Sequence, residues 1–233
     1  MHASPGAAQQ TSYEAKDLTV QITGASDYVF RGVSQTNEDP ALQISLDYSH
    51  ESGFLAGGFA SNVKLLKGIR ADSGDVELDL YAGYRRRFGS DWSAHVALVR
   101  YGFPTADDRS DRKYHEIQFS ANYLEIVNVS IAYSKDAFSY SRSSIFSKGE
   151  SYYLETAAGN YIGETTFLGG GIGYAKIDNL VNRNYLYGNI GITRNFKKFS
   201  LDLNYYFTDS AAEEIFGDVA ENRLVARLHY AFP

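Results

Sequence analysis

Residues 200–207 read Ser-Leu-Asp-Leu-Asn-Tyr-Tyr-Phe, with apolar and polar side chains in alternation. A period of two is the pattern of a β-strand whose two faces meet different surroundings. One face would carry Leu201, Leu203, Tyr205 and Phe207, and the other Ser200, Asp202, Asn204 and Tyr206. The segment is therefore predicted to be a strand with one apolar and one polar side.

The same alternation recurs along most of the chain, beginning at Leu18. Counting every such run gives twelve predicted strands. They cover residues 18–31, 41–49, 54–63, 75–87, 92–102, 114–124, 127–135, 151–161, 165–176, 185–196, 199–208 and 221–232. Many short strands at regular spacing indicate an all-β fold.

The connections between these strands alternate in length. Five are tight, at 50–53, 88–91, 125–126, 162–164 and 197–198. Six are longer and polar, at 32–40, 64–74, 103–113, 136–150, 177–184 and 209–220. In an antiparallel sheet this rhythm puts the tight turns at one end and the long loops at the other. An even number of antiparallel strands then places both termini of the barrel at the tight-turn end.

Composition narrows the class of protein. The 233 residues include 19 Tyr and 14 Phe but one Met and no Cys, which argues against a helix-rich core, disulfides, thiolate metal sites and a cysteine nucleophile. No stretch reaches the roughly 18 apolar residues of a membrane helix. The net charge of -6 argues against a nucleic-acid-binding protein, which needs a basic excess.

The apolar face of these strands is expected to point outward. Twelve strands enclose a lumen too wide for side chains to fill as a dry core. A bilayer requires an apolar exterior, and only a closed sheet satisfies its backbone there. The prediction is a transmembrane antiparallel β-barrel of 12 strands, a single domain over residues 18–233, with short periplasmic turns and longer extracellular loops.

Aromatic residues at the apolar parity support this orientation, because bacterial barrels carry them at both lipid–water interfaces. Those beside the tight turns are Tyr48, Tyr84, Trp92, Tyr123, Phe196, Phe199, Tyr230 and Phe232. Those beside the long loops are Tyr28, Phe30, Tyr133, Tyr152, Tyr174, Tyr205 and Phe207. An aromatic-rich soluble sandwich is the alternative, and it accounts for neither the loop rhythm nor the polar face. The third strand leaves its facing open, since two outward sets fit equally: Phe54, Ala56 and Gly58, or Leu55, Gly57 and Phe59.

One part of the sequence resembles a known family. Residues 26–43 read Ser-Asp-Tyr-Val-Phe-Arg-Gly-Val-Ser-Gln-Thr-Asn-Glu-Asp-Pro-Ala-Leu-Gln, followed by Asp47-Tyr48 and by Gly-Phe-Leu-Ala-Gly-Gly-Phe-Ala-Ser-Asn-Val at 53–63. This opening, about 38 residues long, resembles the TorF family of proteobacterial porins. The remaining strands match that family in strand and loop spacing and not in residue identity. The resemblance implies an exported barrel of the Gram-negative cell outer membrane and supplies no catalytic or binding residues.

The two ends of the chain bear on export. No charged-then-apolar leader opens the sequence, so we expect export with a signal peptide that is absent from this chain. Residues 1–17 are expected to form a disordered N-terminal segment or tag remnant. Bacterial barrels usually finish on an aromatic residue that the outer-membrane assembly machinery recognises, whereas Pro233 here follows Phe232.

Parity assigns a set of charged side chains to the lumen. The acids are Asp27, Asp47, Glu77, Asp79, Glu116, Glu155 and Asp202, and the arginines are Arg31, Arg85, Arg87, Arg223 and Arg227, so the lining is mixed in sign. The candidates for pore-lining residues are Asp27, Arg31, Asp79, Tyr81, Arg85, Arg87, Glu116, Tyr153, Glu155, Tyr187, Asp202, Arg223 and Arg227.

Two interpretations of these charges stay open. Closure of the barrel sets the last strand beside the first, which brings Arg223 and Arg227 near Asp27 and Asp202. They are either cross-strand ion pairs that stiffen the barrel or a charged track that orients a solute. The inward tyrosines likewise either fill the lumen or offer ring faces to a sugar.

Two further motifs have structural explanations. Arg85-Arg86-Arg87 lies beside a tight turn, where cationic heads reach the headgroup layer, although Arg85 and Arg87 have lumen parity. Gly169-Gly170-Gly171-Ile172-Gly173 lacks the spacing of a phosphate-binding loop and lies in a strand. Neighbouring Tyr153 and Tyr187 are expected to cover its inward glycines.

Catalysis is not expected. A hydrolytic site needs a His near a Ser or an acid, and His115, the histidine near the long loops, has outward parity. Neither G-x-S-x-G nor H-E-x-x-H occurs, and no cofactor or metal is implied. The favoured function is a porin-like channel for passive diffusion of small hydrophilic solutes, surrounded by outer-membrane lipids. A structural or adhesive barrel with a plugged lumen is the alternative, and an outer-membrane enzyme ranks below both.

Overall fold

The computed structural model describes residues 17–64, 76–104, 113–139 and 147–232. The elements, numbered along the chain, are β1 (Asp17–Ala25), β2 (Val29–Phe30), β3 (Val33–Ser34), β4 (Ala41–Ser49), β5 (Phe54–Asn62), β6 (Val76–Phe88), β7 (Trp92–Gly102), β8 (Lys113–Tyr123), β9 (Val127–Ser139), β10 (Ser147–Ile162), β11 (Thr166–Lys176), α1 (Asp178–Val181), β12 (Tyr185–Phe196), β13 (Phe199–Thr208), α2 (Ser210–Phe216) and β14 (Arg223–Phe232), with a 3₁₀ turn at Gly217–Ala220. None of the helices in these ranges is long and apolar enough to cross a membrane.

Twelve of these strands, all except β2 and β3, form one closed antiparallel barrel in the described residues. Each strand pairs with its neighbours in chain order, and β1 closes the barrel against β14, with Val20 opposite Phe232 and Ala25 opposite Arg227. Closure leaves no unpaired sheet edge, which is how barrels avoid edge-to-edge association. The predicted barrel of twelve antiparallel strands is confirmed.

The two faces of the wall differ as the alternation requires. On β13, Leu201 and Leu203 are 50% and 42% exposed, whereas Asp202 between them is 2% exposed. The exterior is therefore apolar and the interior polar. The structure also decides the facing of β5: Leu55 is buried in the interior and Phe54 points outward.

Predicted strand boundaries are wrong at two places in the chain. The first strand ends at Ala25 instead of residue 31, because the chain turns into the barrel there. The predicted loop 136–150 is partly strand, since β9 and β10 continue to pair from Ala137 opposite Gly149 to Ser139 opposite Ser147, beyond an irregularity between Gly149 and Ser151. Residues 65–75, 105–112 and 140–146 lie outside the described residues. They contain most of the predicted loops 64–74 and 103–113 and the middle of the predicted loop 136–150.

Candidate functional site

The candidate site is the barrel interior, and the sequence-predicted residues have their side chains on that side of the wall. Asp27, Arg31, Asp79, Glu116, Tyr187 and Asp202 are buried, Tyr81, Arg85, Tyr153, Glu155, Arg223 and Arg227 are half-buried, and Arg87 is exposed at the turn-end rim. For the members on barrel strands this placement follows from the strand parity, because successive residues of a strand face opposite sides of the wall. Asp27 and Arg31 lie beyond the end of β1, in the segment between β1 and β4.

The segment between β1 and β4, residues 26–40, folds into the barrel instead of outward. Strands β2 and β3 pair within it as a short hairpin, with Val29 opposite Ser34. Its turn consists of Arg31 and Gly32, whose φ angles of 50° and 82° are both positive. This is the geometry of a type I′ turn, which matches the twist of a two-stranded hairpin.

The tip of this inward hairpin crosses the lumen to the opposite wall. The Arg31 guanidinium donates to Glu116 on β8 through two hydrogen bonds, Nη1 to Oε2 at 2.9 Å and Nη2 to Oε1 at 2.8 Å. Its Cζ lies 3.4 Å from the ring centre of Tyr153 on β10. Both strands stand five places from β1 around the barrel, so the hairpin spans its cross-section.

The electrostatics of Arg31 depend on this pairing. The Glu116 side chain is fully buried and that of Arg31 is 7% exposed. Burial alone would lower the pKa of Arg31, but the Glu116 carboxylate outweighs it and holds the pKa well above its ordinary value. The Tyr185 hydroxyl also donates to the carbonyl oxygen of Arg31 at 3.1 Å. The turn is thus held by a charged pair and by a backbone contact.

The base of the hairpin is fixed by Asp27. The hydroxyls of Ser34 and Thr36 donate to its Oδ1 at 2.6 and 2.7 Å. Arg223 on β14 donates to Oδ2 at 3.1 Å and also lies 3.4 Å from Glu38. These contacts connect both ends of the inward segment to the last strand of the barrel.

The placement of two aromatic residues near the long loops was predicted wrongly. Tyr28 and Phe30 do not join the outward aromatic residues of the wall, because both lie in the inward segment. Tyr28 is 5% exposed and its ring stands 5.7 Å from that of Phe59. Phe30 is half-buried, with its ring 6.0 Å from Tyr101. The alternation continues past Ala25, but the hydrogen bonds of Asp27 close a loop at that point.

A second polar network joins β12, β13 and β14. Arg227 donates from Nε to Oδ1 of Asp202 at 2.7 Å, across the register pair formed by these two residues. Thr193 and Asn204 donate to the other carboxylate oxygen at 2.9 and 2.7 Å, and Asn189 donates to Asn204 at 2.6 Å. The Asp202 carboxylate therefore accepts hydrogen bonds from residues of three strands, and its bond to Arg227 is a cross-strand ion pair.

Two inward glycines of β11, Gly169 and Gly173, are covered by aromatic rings. A Cβ placed on Gly173 would lie 2.4 Å from the ring of Tyr187, and one on Gly169 would lie 2.7 Å from Phe167. Tyr187 extends over this space to donate to Glu155 at 2.6 Å. The covering residue expected from the sequence is therefore found for Gly173, while Phe167 was not foreseen at Gly169.

An apolar cluster packs at the loop end of the interior. It consists of Ala137, Ala175, Ile177, Leu180, Tyr185, Tyr187, Ala212, Ile215 and Ala220, and Val33 of the inward hairpin packs against it. Helices α1 and α2 contribute to this cluster, and neither was predicted. A signal for α2 exists, because Asp209 is its N-cap and accepts from the Ala212 amide at 3.1 Å.

The turn-end half of the interior is lined largely by polar side chains. Asp47, Tyr81, Arg85, His95 and Gln118 are half-buried there, and the Tyr81 hydroxyl donates to Asp47. In the described ranges, no group of three or more His, Cys, Asp or Glu side chains is arranged to hold a metal ion. The interior thus combines an apolar cluster at the loop end with a polar turn-end half, the vestibule.

Comparison with known proteins identifies the family of this chain. Residues 8–231 match the profile of a family described as "Bacterial protein of unknown function (Gcw_chp)". The chain belongs to this family. The TorF membership suggested by residues 26–63 is not confirmed by this match and stays a prediction. No curated protein matches the chain significantly in sequence.

Solved porins share the fold of this Gcw_chp chain. A structure described as "KdgM porin in complex with disordered oligogalacturonate" superposes with a TM-score of 0.59 at 10% identity, covering 92% of this chain and 99% of the porin. The NanC porin superposes with a TM-score of 0.57 at 9% identity, covering 93% and 100%. At such identities the similarity concerns the barrel architecture, and it extends over nearly the whole of both chains.

Proposed function

We propose that this Gcw_chp protein is a porin-like channel of the Gram-negative outer membrane through which small hydrophilic solutes diffuse passively. The observation that carries the proposal is the closed barrel with an apolar exterior and a polar, charged interior. In hydrocarbon an apolar exterior is required, and a polar lumen replaces part of the hydration of a solute. The shared fold of the KdgM and NanC porins supports the same conclusion.

The proposal includes an orientation. Tight turns face the periplasm and long loops face outward, as in bacterial barrels generally. Outer-membrane lipids surround the wall, and a signal peptide together with the outer-membrane assembly machinery delivers the chain. The KdgM porin is described with oligogalacturonate, which supports a hydrophilic solute without defining it for this chain.

Within this channel, the turn-end vestibule and the inward hairpin have separate roles. Tyr81, Arg85 and Arg87 line the vestibule that a solute meets from the turn end. The hairpin, tied across the lumen by Arg31 and Glu116, is the constriction. Its displacement or thermal motion would set how much of the lumen is open, and no bond-making step is needed.

A plugged structural or adhesive barrel is the second candidate, and a specific observation favours it. The hairpin and the apolar cluster around Tyr185 and Ile215 together fill the loop end of the interior. A lumen closed there permanently would conduct nothing. The two candidates differ in one measurable property, which is ionic conductance.

Planar-bilayer recording of the refolded protein separates the candidates. A channel gives stepwise, reproducible conductance increments at a constant protein-to-lipid ratio. A barrel that is folded by circular dichroism and gives only baseline current would exclude the channel and leave the plugged barrel. A variant lacking residues 29–34, joined through a short Gly-Ser linker, should show larger steps than the parent if the hairpin is the constriction.

A further inference from the structure

One sector of the outer wall is concave. A groove of about 630 Å³ runs over β7 to β11. Its outward-facing lining is almost entirely apolar and includes Val96, Ile117, Phe119, Ile131, Leu154 and Tyr174. Contact with lipid requires an apolar outer surface, but it does not require a concave one. Membrane insertion alone therefore does not explain the groove.

Strand register arranges the lining in two adjacent rows. Ile117 lies opposite Tyr133, which lies opposite Tyr152, which lies opposite Lys176. The row nearer the tight turns contains Val96, Phe119, Ile131, Leu154 and Tyr174. The row nearer the loops therefore runs from Ile117 through two aromatic rings to a cation at the edge of the groove.

Cations continue above this row, toward the long loops. Arg100 on β7 lies opposite His115 on β8, one outward position beyond Leu98 and Ile117. Lys135 is the next outward residue after Tyr133 on β9 and is exposed. Together with Lys176, these side chains form a cationic rim on the loop side of the groove.

Among the residues that the structure describes, the rim also contains carboxylates, and the cations outnumber them. His115 pairs with Asp136 at 3.0 Å, and the Tyr133 hydroxyl donates to Glu150 at 2.9 Å. Against these two acids stand Arg100, Lys113, Lys135 and Lys176. In the loop half of the described strands, outward-facing Lys and Arg occur on β7, β8, β9, β10 and β11, with Lys148 on β10, and not on the other barrel strands. The cationic rim therefore coincides with the groove.

We propose that this groove binds one anionic, phosphate-bearing lipid of the surrounding membrane. Its acyl chains would lie along Phe119, Ile131 and Leu154, and its phosphates would meet Arg100, Lys135 and Lys176. Cationic side chains at the headgroup level attract anionic lipids, and apolar area buried in the groove adds to that attraction. The proposal rests on the proposed function only in requiring that the barrel spans a membrane.

Binding is tested on the refolded barrel in detergent by native mass spectrometry. Lipid A, which carries two phosphates, is compared with zwitterionic phosphatidylcholine at equal concentration. The parent should bind lipid A about tenfold more tightly or better, because several cations act on one headgroup. Arg100→Gln with Lys135→Gln and Lys176→Gln should abolish that preference while leaving phosphatidylcholine binding unchanged.

The matched control is Arg86→Gln with Arg194→Gln, which removes outward cations near the tight turns and should leave the preference intact. Ile131→Trp fills the groove without changing its charge and should weaken the binding of both lipids. This variant separates the contribution of the groove from that of the cationic rim. Circular dichroism and heat-dependent gel mobility establish that each variant is folded. Equal binding of the two lipids by the parent, or an unchanged preference in the triple variant, would overturn the proposal. Conductance is not part of this readout, so failure of the channel proposal and failure of the lipid site remain distinguishable.

Discussion

The pairing of Arg31 with Glu116 shows at the residue scale how a polar interior can be tightly held. Two charges that are taken out of water lose their hydration energy. Only good pairing geometry together with further hydrogen bonds compensates for that loss. Glu116 has both: its two oxygens accept from Arg31 at 2.9 and 2.8 Å, and Oε1 also accepts from Gln118 at 2.6 Å. Breaking one side of such a pair costs about 3–5 kcal/mol, because the other charge is left buried.

Glu116→Gln should therefore release the inward hairpin. The unpaired guanidinium is expected to leave the lumen for water instead of staying buried, so protection of residues 26–40 against amide hydrogen exchange should fall at least about a hundredfold. Exchange of the barrel strands should change little. Mass-spectrometric hydrogen exchange in detergent measures both.

Arg87→Gln is the control for this change. Arg87 stands 3.8 Å from Glu125 and both side chains are well exposed, so that pair contributes about 1 kcal/mol or less. Its loss should leave residues 26–40 protected. Unchanged protection in Glu116→Gln would mean that the hairpin is held by its apolar contacts and not by the ion pair.

The inward hairpin illustrates at the element scale how a single glycine can decide where a segment packs. Gly32 has a φ of 82°, and a Cβ there would lie 2.7 Å from Cγ2 of Thr208 and 2.8 Å from Cβ of Tyr187. Gly32→Ala combines left-handed strain of about 1–2 kcal/mol with this overlap. The hairpin should withdraw from β12 and β13, and limited proteolysis should cut residues 26–40 faster than in the parent.

Gly24→Ala provides the comparison, since a Cβ at Gly24 meets nothing within 4 Å and the backbone there is ordinary strand. Its proteolysis pattern should match the parent's. Equal cleavage in both variants would contradict the close packing of the turn against the wall.

The barrel strands give a separate prediction, on the facing of their side chains. Leu203→Arg places a cation on the outer face, where the cost at the bilayer midplane is about 2–4 kcal/mol. Ser130→Arg introduces the same side chain on the inner face, within reach of Glu155, whose Oε2 accepts from the Ser130 hydroxyl at 3.4 Å. Folding into lipid vesicles, followed by gel mobility, should fail for the first variant and succeed for the second. Equal folding yields would show that the two faces are assigned to the wrong surroundings.

At the scale of the whole molecule, the sequence predicts the strands of the barrel wall well and the segments that fill the barrel interior poorly. Residues such as Leu201 and Asp202 reveal their facing directly, because strand side chains alternate with a period of two. The contacts that place the inward hairpin have no local pattern: Arg31 and Glu116 are 85 positions apart, and Asp27 and Arg223 are 196 apart. The apolar–polar alternation continues through residues 26–31, so the sequence predicts a first strand that reaches residue 31. In the structure the strand ends at Ala25, because hydrogen bonds to Asp27 hold the following segment inside the barrel.

The charge of the lumen is the other whole-molecule property, and it bears on permeation. Arg223 pairs with Asp27 at 3.1 Å and Arg227 pairs with Asp202 at 2.7 Å, so two of the interior arginines are neutralised by nearby acids. If an open path passes these pairs, replacing both arginines by Ala leaves two negative charges beside it. The field along the lumen then favours cations.

Single-channel recording of Arg223→Ala with Arg227→Ala in a salt gradient should consequently show the reversal potential displaced toward that of the cation, together with a lower thermal unfolding midpoint. The matched control is Arg86→Ala, which removes one positive charge from the outer face and should leave the reversal potential where it is. A double variant that is less stable but keeps the parent's reversal potential and conductance would assign both pairs to stiffening the wall. The selectivity of the channel would then rest with other charged side chains of the interior, such as Arg85 and Glu155.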